Sequence, residues 1–287
     1  MKRTPWLPIA GLLTNSTIWG LSWIAFRSLD GAGVHPLWAT AILYGAAFVL
    51  LAVLMPRAFA ELVRTPALWA LMIASGFNNA CFNTAVAIGD VVRVVLLFYL
   101  MPIWSMLLAR PLLHEAIDAR AIARVAVGLG GALLVLYRPG HGLPLPQSLP
   151  DWLALVGGML FALNNVLLRR QADASEPSRA IAMFAGGIVS ASVGTALAFM
   201  GLISWPALGA PGNLGTLALW TGLFLVANVG LQIGAARLPA SLTAVIMLTE
   251  VLVASASSWV AGTAQLRTQE LIGGALILAA PWIARRR

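Results

Sequence analysis

The chain has 287 residues, of which 60% are hydrophobic and 10% are charged, whereas soluble domains have about 45–50% and about 25%. So few charged side chains cannot cover a soluble globule, and the composition therefore excludes a soluble domain and indicates an integral membrane protein. The net charge of +8 would suit a nucleic-acid partner, but the basic residues lie in alternate loops, which argues against nucleic-acid binding.

Hydropathy and Gly/Pro breaks predict ten membrane-spanning helices in an all-α integral membrane fold. The charge-free runs 4–26, 31–56 and 65–89 are each long enough to cross a bilayer core, which takes about 20 residues. The longer run 180–236 holds two crossings, because the proline-containing segment SWPALGAPGN interrupts it. The predicted helices are 6–27, 36–56, 67–88, 91–110, 118–137, 151–170, 177–201, 212–235, 239–262 and 268–284.

Basic residues are distributed unequally between alternate loops. One side of the predicted membrane receives 14 of them and the other side receives 4. The positive-inside rule then places both termini in the cytoplasm of a bacterial-type inner (plasma) membrane, with a multi-pass topology. The 14 are Lys2, Arg3, Arg57, Arg64, Arg110, Arg120, Arg124, Arg169, Arg170, Arg179, Arg237 and Arg285–Arg287, and the 4 are Arg27, Arg93, Arg138 and Arg267.

The chain carries an internal duplication. A shift of 149 positions aligns NNACFNTAVAIGDVVRVVLLFYLMP (78–102) with ANVGLQIGAARLPASLTAVIMLTEV (227–251) without gaps. A shift of 142–143 aligns GLSWIAFR (20–27) with ALNNVLLR (162–169). These matches predict two repeats of five helices, 1–140 and 141–287, that form one unit. Because five is odd, the second repeat enters the membrane from the opposite face, an inverted arrangement that is common in transporters.

The length, the 5+5 duplication, the first helix IWGLSWIAFR and the fourth helix YLMPIWSMLL resemble the EamA-type drug/metabolite transporters, and among them the YddG-type amino-acid exporters. The resemblance covers the whole chain and implies export of amino acids, aromatic ones included. One position departs from the family pattern: a Glu-Pro pair often found in the ninth helix is Glu250-Val251 here. The oligomeric state stays open between a monomer and a homodimer.

Amide side chains inside the predicted spans are candidates for binding a polar solute. Asn79 and Asn83 lie four residues apart, and Asn228 with Gln232 repeats this spacing in the other half, so each pair shares a helical face. An unpaired amide in hydrocarbon is costly, and such side chains therefore face a wet cavity or hydrogen bond between helices. We predict cavity lining for these pairs and add three further candidates, Asn15, Asn164 and Asn165.

The remaining candidates are one acid, two aromatic residues and one proline. Glu250 is the acidic residue predicted near the middle of a span, where it would carry a proton, bind an ammonium group or hydrogen bond structurally. Tyr99 and Trp104 place aromatic surface near the predicted centre. Pro102 removes a backbone donor from the fourth helix and predicts a kink, which serves either as a hinge or as bent packing. The Gly pairs at 130–131, 157–158, 186–187 and 273–274 predict close helix contacts.

Several kinds of site are missing from the sequence. It contains no Gly-rich Lys-Ser/Thr phosphate loop, and His35, His114, His141 and the single Cys81 form no metal or nucleophile cluster. We therefore predict neither a cofactor nor enzymatic activity. The leading hypothesis is a secondary exporter of small amphipathic metabolites that works by alternating access. The alternatives are an exporter of another metabolite class, an intramembrane lipid-modifying enzyme and a structural scaffold.

Overall fold

The computed structural model describes residues 6–137, 145–209, 213–263, 265 and 267–283. Within these ranges the chain forms α-helices and one 3₁₀-helix, without β-strands, which confirms the all-helical fold. The helices are α1 (Trp6–Gly31), α2 (Pro36–Leu54), α3 (Pro56–Arg64), α4 (Pro66–Ile88), α5 (Val91–Phe98), α6 (Met101–Leu113), α7 (Ala119–Leu136), α8 (Leu149–Arg170), α9 (Glu176–Ala185), α10 (Gly187–Phe199), α11 (Asn213–Ala235), α12 (Ala240–Met247), α13 (Thr249–Val260), α14 (Thr268–Ala279) and the 3₁₀-helix Ala280–Trp282. Residues of the sequence analysis that lie outside the described ranges are Lys2, Arg3, Arg138, His141 and Arg285–Arg287.

Nine helical segments of the described residues are long and apolar enough to cross a membrane, and they correspond to the first nine predicted spans. Three of these segments consist of two shorter helices each: α5 with α6, α9 with α10, and α12 with α13. The tenth predicted span is α14 followed by the 3₁₀-helix, with 12 and 3 residues. At ordinary helical rises these extend about 24 Å, less than the ~30 Å core of a bilayer. The tenth crossing and the cytoplasmic termini therefore stay predictions.

Prolines in the first turn mark the starts of several helices. A proline at this position loses no hydrogen bond, because the first N–H groups of a helix have no acceptor within it. Helices α2, α3, α4, α6, α8 and α9 all begin in this way. Side-chain caps start two others: Asp90 accepts from the backbone N–H of Arg93 at 2.9 Å, and Asp118 accepts from that of Ala121 at 2.7 Å.

Helix α3 was missed by the sequence analysis, because a search for long apolar runs passes over a short amphipathic helix. It buries Ala58 and Leu62 and exposes charged residues on its other face. Its Glu61 carboxylate accepts hydrogen bonds from Ser178 Oγ at 2.5 Å and Ser175 Oγ at 2.8 Å, at the start of α9. These hydrogen bonds hold the pKa of Glu61 below its ordinary value. Helix α3 is thereby attached to the start of α9.

Glycines allow several helix pairs to approach closely. A Cβ atom on Gly11 of α1 would lie 2.5 Å from the carbonyl oxygen of Gly230 on α11, and one on Gly131 of α7 would lie 2.6 Å from that of Gly273 on α14. Only glycine fits at such distances. The predicted close contacts are confirmed at Gly131 and Gly273, but the prediction is wrong at Gly130, whose Cβ position faces open space.

Several helices pack most extensively against a helix of the other predicted half. Helix α1 packs most extensively against α11, and its predicted counterpart α8 packs most extensively against α4. Likewise, α1 contacts α12 and α13 of the ninth span, while α8 contacts α5 and α6 of the fourth. Helix α2 packs against α10, and α7 packs against α14. Each of these two pairs joins a helix to its own predicted counterpart in the other half. The repeat boundary near residue 140 and the inverted orientation stay predictions.

Candidate functional site

A cavity lies among the described helices, at the middle of their length. Residues from both predicted halves line it, and Asn15, Tyr44, Asn79 and Asn228 each lie within the middle half of their helix. The lining residues are Asn15, Trp19, Tyr44, Ser75, Asn78, Asn79, Phe82, Phe98, Phe161, Asn164, Met183, Phe184, Phe224, Asn228, Leu231, Met247 and Glu250. The cavity is therefore where the amide-rich faces of the spans meet.

The cavity has room for water and for part of a small solute. Its atom-free space is about 700 Å³ when the open solvent at its mouth is included. About 60 Å³ of this space accommodates the centre of a water molecule, several times the ~10–15 Å³ that one water requires. The cavity is narrow in this conformation, but polar atoms on its wall are not restricted to partners in the protein.

Aromatic rings form the apolar part of the wall. Trp19 stacks on Phe224 with ring centroids 4.5 Å apart, and Phe82 lies 4.6 Å from Phe98. Phe161 extends the second group, with its centroid 5.8 Å from that of Phe98. Rings in such groups offer flat apolar surfaces that contact aliphatic or aromatic side chains of a ligand.

One part of the cavity wall offers hydrogen-bond acceptors. Asn15 Nδ2 donates to the carbonyl oxygen of Ala227 at 2.8 Å, so Asn15 Oδ1 remains as an acceptor. This oxygen and the Oδ1 atoms of Asn78 and Asn164 are buried without a hydrogen-bond partner among the described protein atoms. The carboxyl group of Glu250, the second residue of α13, lines the same cavity. Each of these three amide oxygens therefore has unused acceptor capacity.

Glu250 lies near the breaks of the fourth and ninth spans. Its carboxyl group interacts with the hydroxyl group of Tyr99, which follows α5 at the break of the fourth span, while Leu248 separates α12 from α13 in the ninth span. Among the described residues, no group of three His, Cys, Asp or Glu side chains is close enough to hold a metal ion. The chemistry available to Glu250 is therefore to accept hydrogen bonds, to attract a cation or to bind a proton.

Another part of the wall contains the amides of Asn79 and Asn228, whose orientation is set by hydrogen bonds to neighbouring residues. Asn79 Nδ2 donates to the Ser75 carbonyl oxygen at 2.8 Å and to the Tyr44 hydroxyl oxygen at 3.3 Å. Asn228 Oδ1 accepts from Gln232 Nε2 at 2.7 Å, and Asn228 Nδ2 lies 3.2 Å from Met183 Sδ. Since thioether sulfur is a weak acceptor, Asn228 keeps most of its donor capacity for a stronger partner.

The ten predicted site residues divide equally between the cavity wall and its surroundings. Those that line the cavity are Asn15, Asn79, Asn164, Asn228 and Glu250. Those that do not line it are Asn83, Gln232, Asn165, Tyr99 and Trp104. Asn83 Nδ2 instead donates to Thr40 Oγ1 at 2.6 Å, a hydrogen bond between two helices. Thus only the first amide of each predicted pair reaches the cavity, because the second lies one turn farther along and turns toward a neighbouring helix.

Pro102 is in the first turn of α6, directly after the break at Tyr99 and Leu100. The predicted kink is therefore a complete interruption between α5 and α6. Its role as a hinge stays a prediction.

The first half of the chain matches a known family. Residues 6–137 match the model of the EamA-like transporter family. This part of the chain is therefore similar to an EamA-like transporter domain. A crystal structure of a protein shares the fold, with a TM-score of 0.79 over 97% of this chain and 95% of that chain at 21% sequence identity. A comparison with curated protein sequences gives no significant match.

The EamA-like match, together with the apolar helices, supports a multi-pass membrane transporter. Because the matched family is one of transporters, the match favours transport over enzymatic activity.

Several residues of this cavity were missed by the sequence analysis. Ser75 lies four residues before Asn79, so the helical period could have found Ser75. Asn78 lies directly before Asn79. The aromatic residues Trp19 and Phe224 could not be chosen in the same way, because most aromatic residues in spans pack or lie at the interface. Arg179, counted as a loop charge, is instead buried beside Gln232.

Proposed function

We propose that the protein is a secondary transporter that exports small amphipathic metabolites across the bacterial inner membrane. The observation that carries this proposal is the cavity at middle depth, whose wall combines amides from both halves, aromatic rings and one carboxyl group. Polar side chains within spans mark solute pathways when they face a cavity. The EamA-like match of residues 6–137 supports transport.

The proposed substrate is a neutral zwitterion with an apolar side chain, most specifically an amino acid, aromatic ones included. Glu250 and Asn15 Oδ1 supply acceptors for an ammonium group, while Asn228 Nδ2 supplies a donor for a carboxylate. The stacked rings of Trp19 and Phe224 supply apolar contact for the side chain. No Lys or Arg belongs to the described lining residues, which disfavours a phosphorylated or strongly anionic substrate.

The proposed mechanism is alternating access, in which two inverted halves move around the cavity. The exchanged packing of α1 with α11 and of α8 with α4 supports two equivalent halves. The breaks after α5 and α12 lie at the same depth as the cavity, as broken helices do in many transporters with repeats. Pro102, next to the first break, is the proposed hinge.

The test is solute flux through the purified protein in liposomes. Liposomes preloaded with labelled phenylalanine or tryptophan should release the label faster with the protein than without it, and a pH gradient shows whether protons are coupled. A panel with a sugar phosphate and a nucleotide tests other metabolite classes. Flux of only these solutes would contradict the proposed substrate, and modification of the lipid without any flux would identify an enzyme instead.

A further inference from the structure

Arg179 is a buried cation beneath the cavity wall. It is the fourth residue of α9, and only 2% of its surface is exposed. None of the ion pairs found among the described residues includes it. Glu176 and Glu61 attract its guanidinium group from beyond ion-pair distance, and Arg237 repels it. A buried charge without a paired carboxylate is costly to maintain, so its local hydrogen bonds are informative.

The guanidinium group of Arg179 determines which atoms donate and which accept in the amides of Gln232 and then Asn228. Arg179 Nε donates to Gln232 Oε1 at 3.0 Å, and this leaves the Gln232 amide nitrogen as a donor. Gln232 Nε2 then donates to Asn228 Oδ1 at 2.7 Å. An arginine has donors and no acceptor, so it can bind only the oxygen of Gln232. The chain of hydrogen bonds therefore leaves the N–H group of Asn228, and not its oxygen, for the remaining partner.

That remaining partner is weak. Asn228 lines the cavity, and its Nδ2 atom lies 3.2 Å from the thioether sulfur of Met183. A carboxylate oxygen is a far stronger acceptor than a thioether. It would also interact favourably with the positive charge two hydrogen bonds away, because charges are weakly screened in a buried site.

We propose that Arg179, acting through Gln232, holds Asn228 as a donor into the cavity and makes this the subsite for the carboxylate of the substrate. This inference rests on the proposed function and names the residues that recognise one end of the zwitterion. Arg179 is a positioning residue, since it does not itself line the cavity.

The acceptor part of the cavity lies next to this subsite. Asn15 donates to the carbonyl oxygen of Ala227, the residue before Asn228, and Asn15 Oδ1 is without a partner among the described protein atoms. A donor and an acceptor at adjacent positions match the carboxylate and ammonium groups that share the α-carbon of an amino acid. This arrangement distinguishes an amino acid from an amine that lacks the carboxylate.

A purely structural role is the competing explanation. Arg179 Nη1 also donates to the carbonyl oxygen of Gln171 at 3.0 Å, which ties α9 to the end of α8. Loss of that contact would weaken every ligand equally, because it would disturb the shape of the site and not its charge. Carboxylate recognition instead predicts a loss confined to ligands with a carboxylate.

The experiment measures binding to the purified full chain by isothermal titration calorimetry, with phenylalanine and phenethylamine, which lacks the carboxylate. We expect wild type to bind phenylalanine more tightly. Arg179→Met should raise the Kd of phenylalanine about tenfold and leave the Kd of phenethylamine within twofold. Arg179→Lys, which keeps the charge, should retain most of the preference. Arg237→Met removes a cation that does not belong to the hydrogen-bonded series Arg179–Gln232–Asn228. This variant should leave the Kd values of both ligands unchanged.

Two outcomes would overturn the inference. They are equal Kd values for the two ligands in wild type, and equal weakening of both ligands by Arg179→Met. If every amino acid fails both to bind and to cross liposomes containing wild type, the proposed function is refuted. If phenylalanine binds and crosses but Arg179→Met leaves the ratio of Kd values unchanged, only the role of Arg179 is refuted.

Discussion

Glu250 is the acidic residue among the described lining residues, and its neighbours bear on what it binds. The Tyr99 hydroxyl group interacts with its carboxyl group. Asn15 and Asn164 line the same cavity with amide oxygens that lack protein partners. A proton on Glu250 would leave these oxygens without donors, whereas an ammonium group could donate to them as well as to the carboxylate. The arrangement favours the ammonium partner over the proton carrier, and both roles are open to test.

Replacing Glu250 with Gln removes the negative charge and keeps the size of the side chain. We expect Glu250→Gln to reduce phenylalanine flux in liposomes at least tenfold, because a charge-assisted hydrogen bond to the ammonium group is lost, and such a bond contributes about 1.5–3 kcal/mol. Glu176→Gln is the matched control, since Glu176 forms an exposed ion pair with Arg237. Unchanged flux and unchanged pH dependence in Glu250→Gln would remove this residue from the mechanism.

The fourth and ninth spans are each contacted at their break by a small residue of a neighbouring helix. At the break of the fourth span, Gly158 of α8 lies against the carbonyl oxygen of Phe98. At the break of the ninth span, Ser16 Oγ of α1 lies within hydrogen-bond distance, 3.5 Å, of the carbonyl oxygen of Met247. The internal shifts of 142 and 149 align Ser16 with Gly158 and Phe98 with Met247. Helices that these shifts pair with each other thus meet carbonyl groups that the shifts also pair, in the first predicted half by contact and in the second by hydrogen bonding.

Gly158 tests how tightly the fourth span is held. A Cβ atom there would overlap the Phe98 carbonyl oxygen, which belongs to the backbone and cannot rotate away. We expect Gly158→Ala to destabilise the protein by roughly 1–3 kcal/mol, as overpacking does, measured as a lower melting temperature in detergent. Gly130→Ala is the control, because its Cβ position faces open space and alanine is the better helix former. Equal melting temperatures for the two variants would show that the α5–α6 break is not tightly packed against α8.

The whole molecule is organised around pairs of helices from opposite halves. Glycine contacts join α1 to α11 and α7 to α14, and the cavity lies where the two halves meet at the breaks of the fourth and ninth spans. The predicted inverted repeat would fix the side of each loop. With cytoplasmic termini, the α1–α2 connection faces the outside and the end of α3 faces the cytoplasm.

Cysteine labelling tests this topology. In a Cys81→Ala background, Gly31→Cys and Arg64→Cys place single thiols at exposed positions, and the first has open space at its Cβ. We expect a membrane-impermeant maleimide to label the Gly31→Cys variant in intact bacterial cells and the Arg64→Cys variant only after permeabilisation. The reverse pattern would place the termini outside. Labelling of both variants in intact cells would contradict the number of spans between them.

How far the site could be predicted differs from residue to residue. Asn79 and Asn228 were found by the helical spacing, because a polar group in a span must face protein or water. The same spacing also selected Asn83, which bonds to Thr40 on α2, since a shared helical face says nothing about which neighbour covers each turn. Arg179 was assigned to a loop because its charge lies near a helix start, and only its contact with Gln232 shows it to be buried in the hydrogen-bonded series Arg179–Gln232–Asn228.

The sequence by itself determined that the chain is a membrane protein and where nine of its described spans lie. These properties depend on local composition and on the obligation of every backbone group in lipid to bond within its own helix. Only the tertiary structure decided which amides share a cavity, where the fourth and ninth spans break and in which direction each amide donates. Those properties depend on contacts such as Asn15 with Ala227 and Arg179 with Gln232, between residues far apart in the chain.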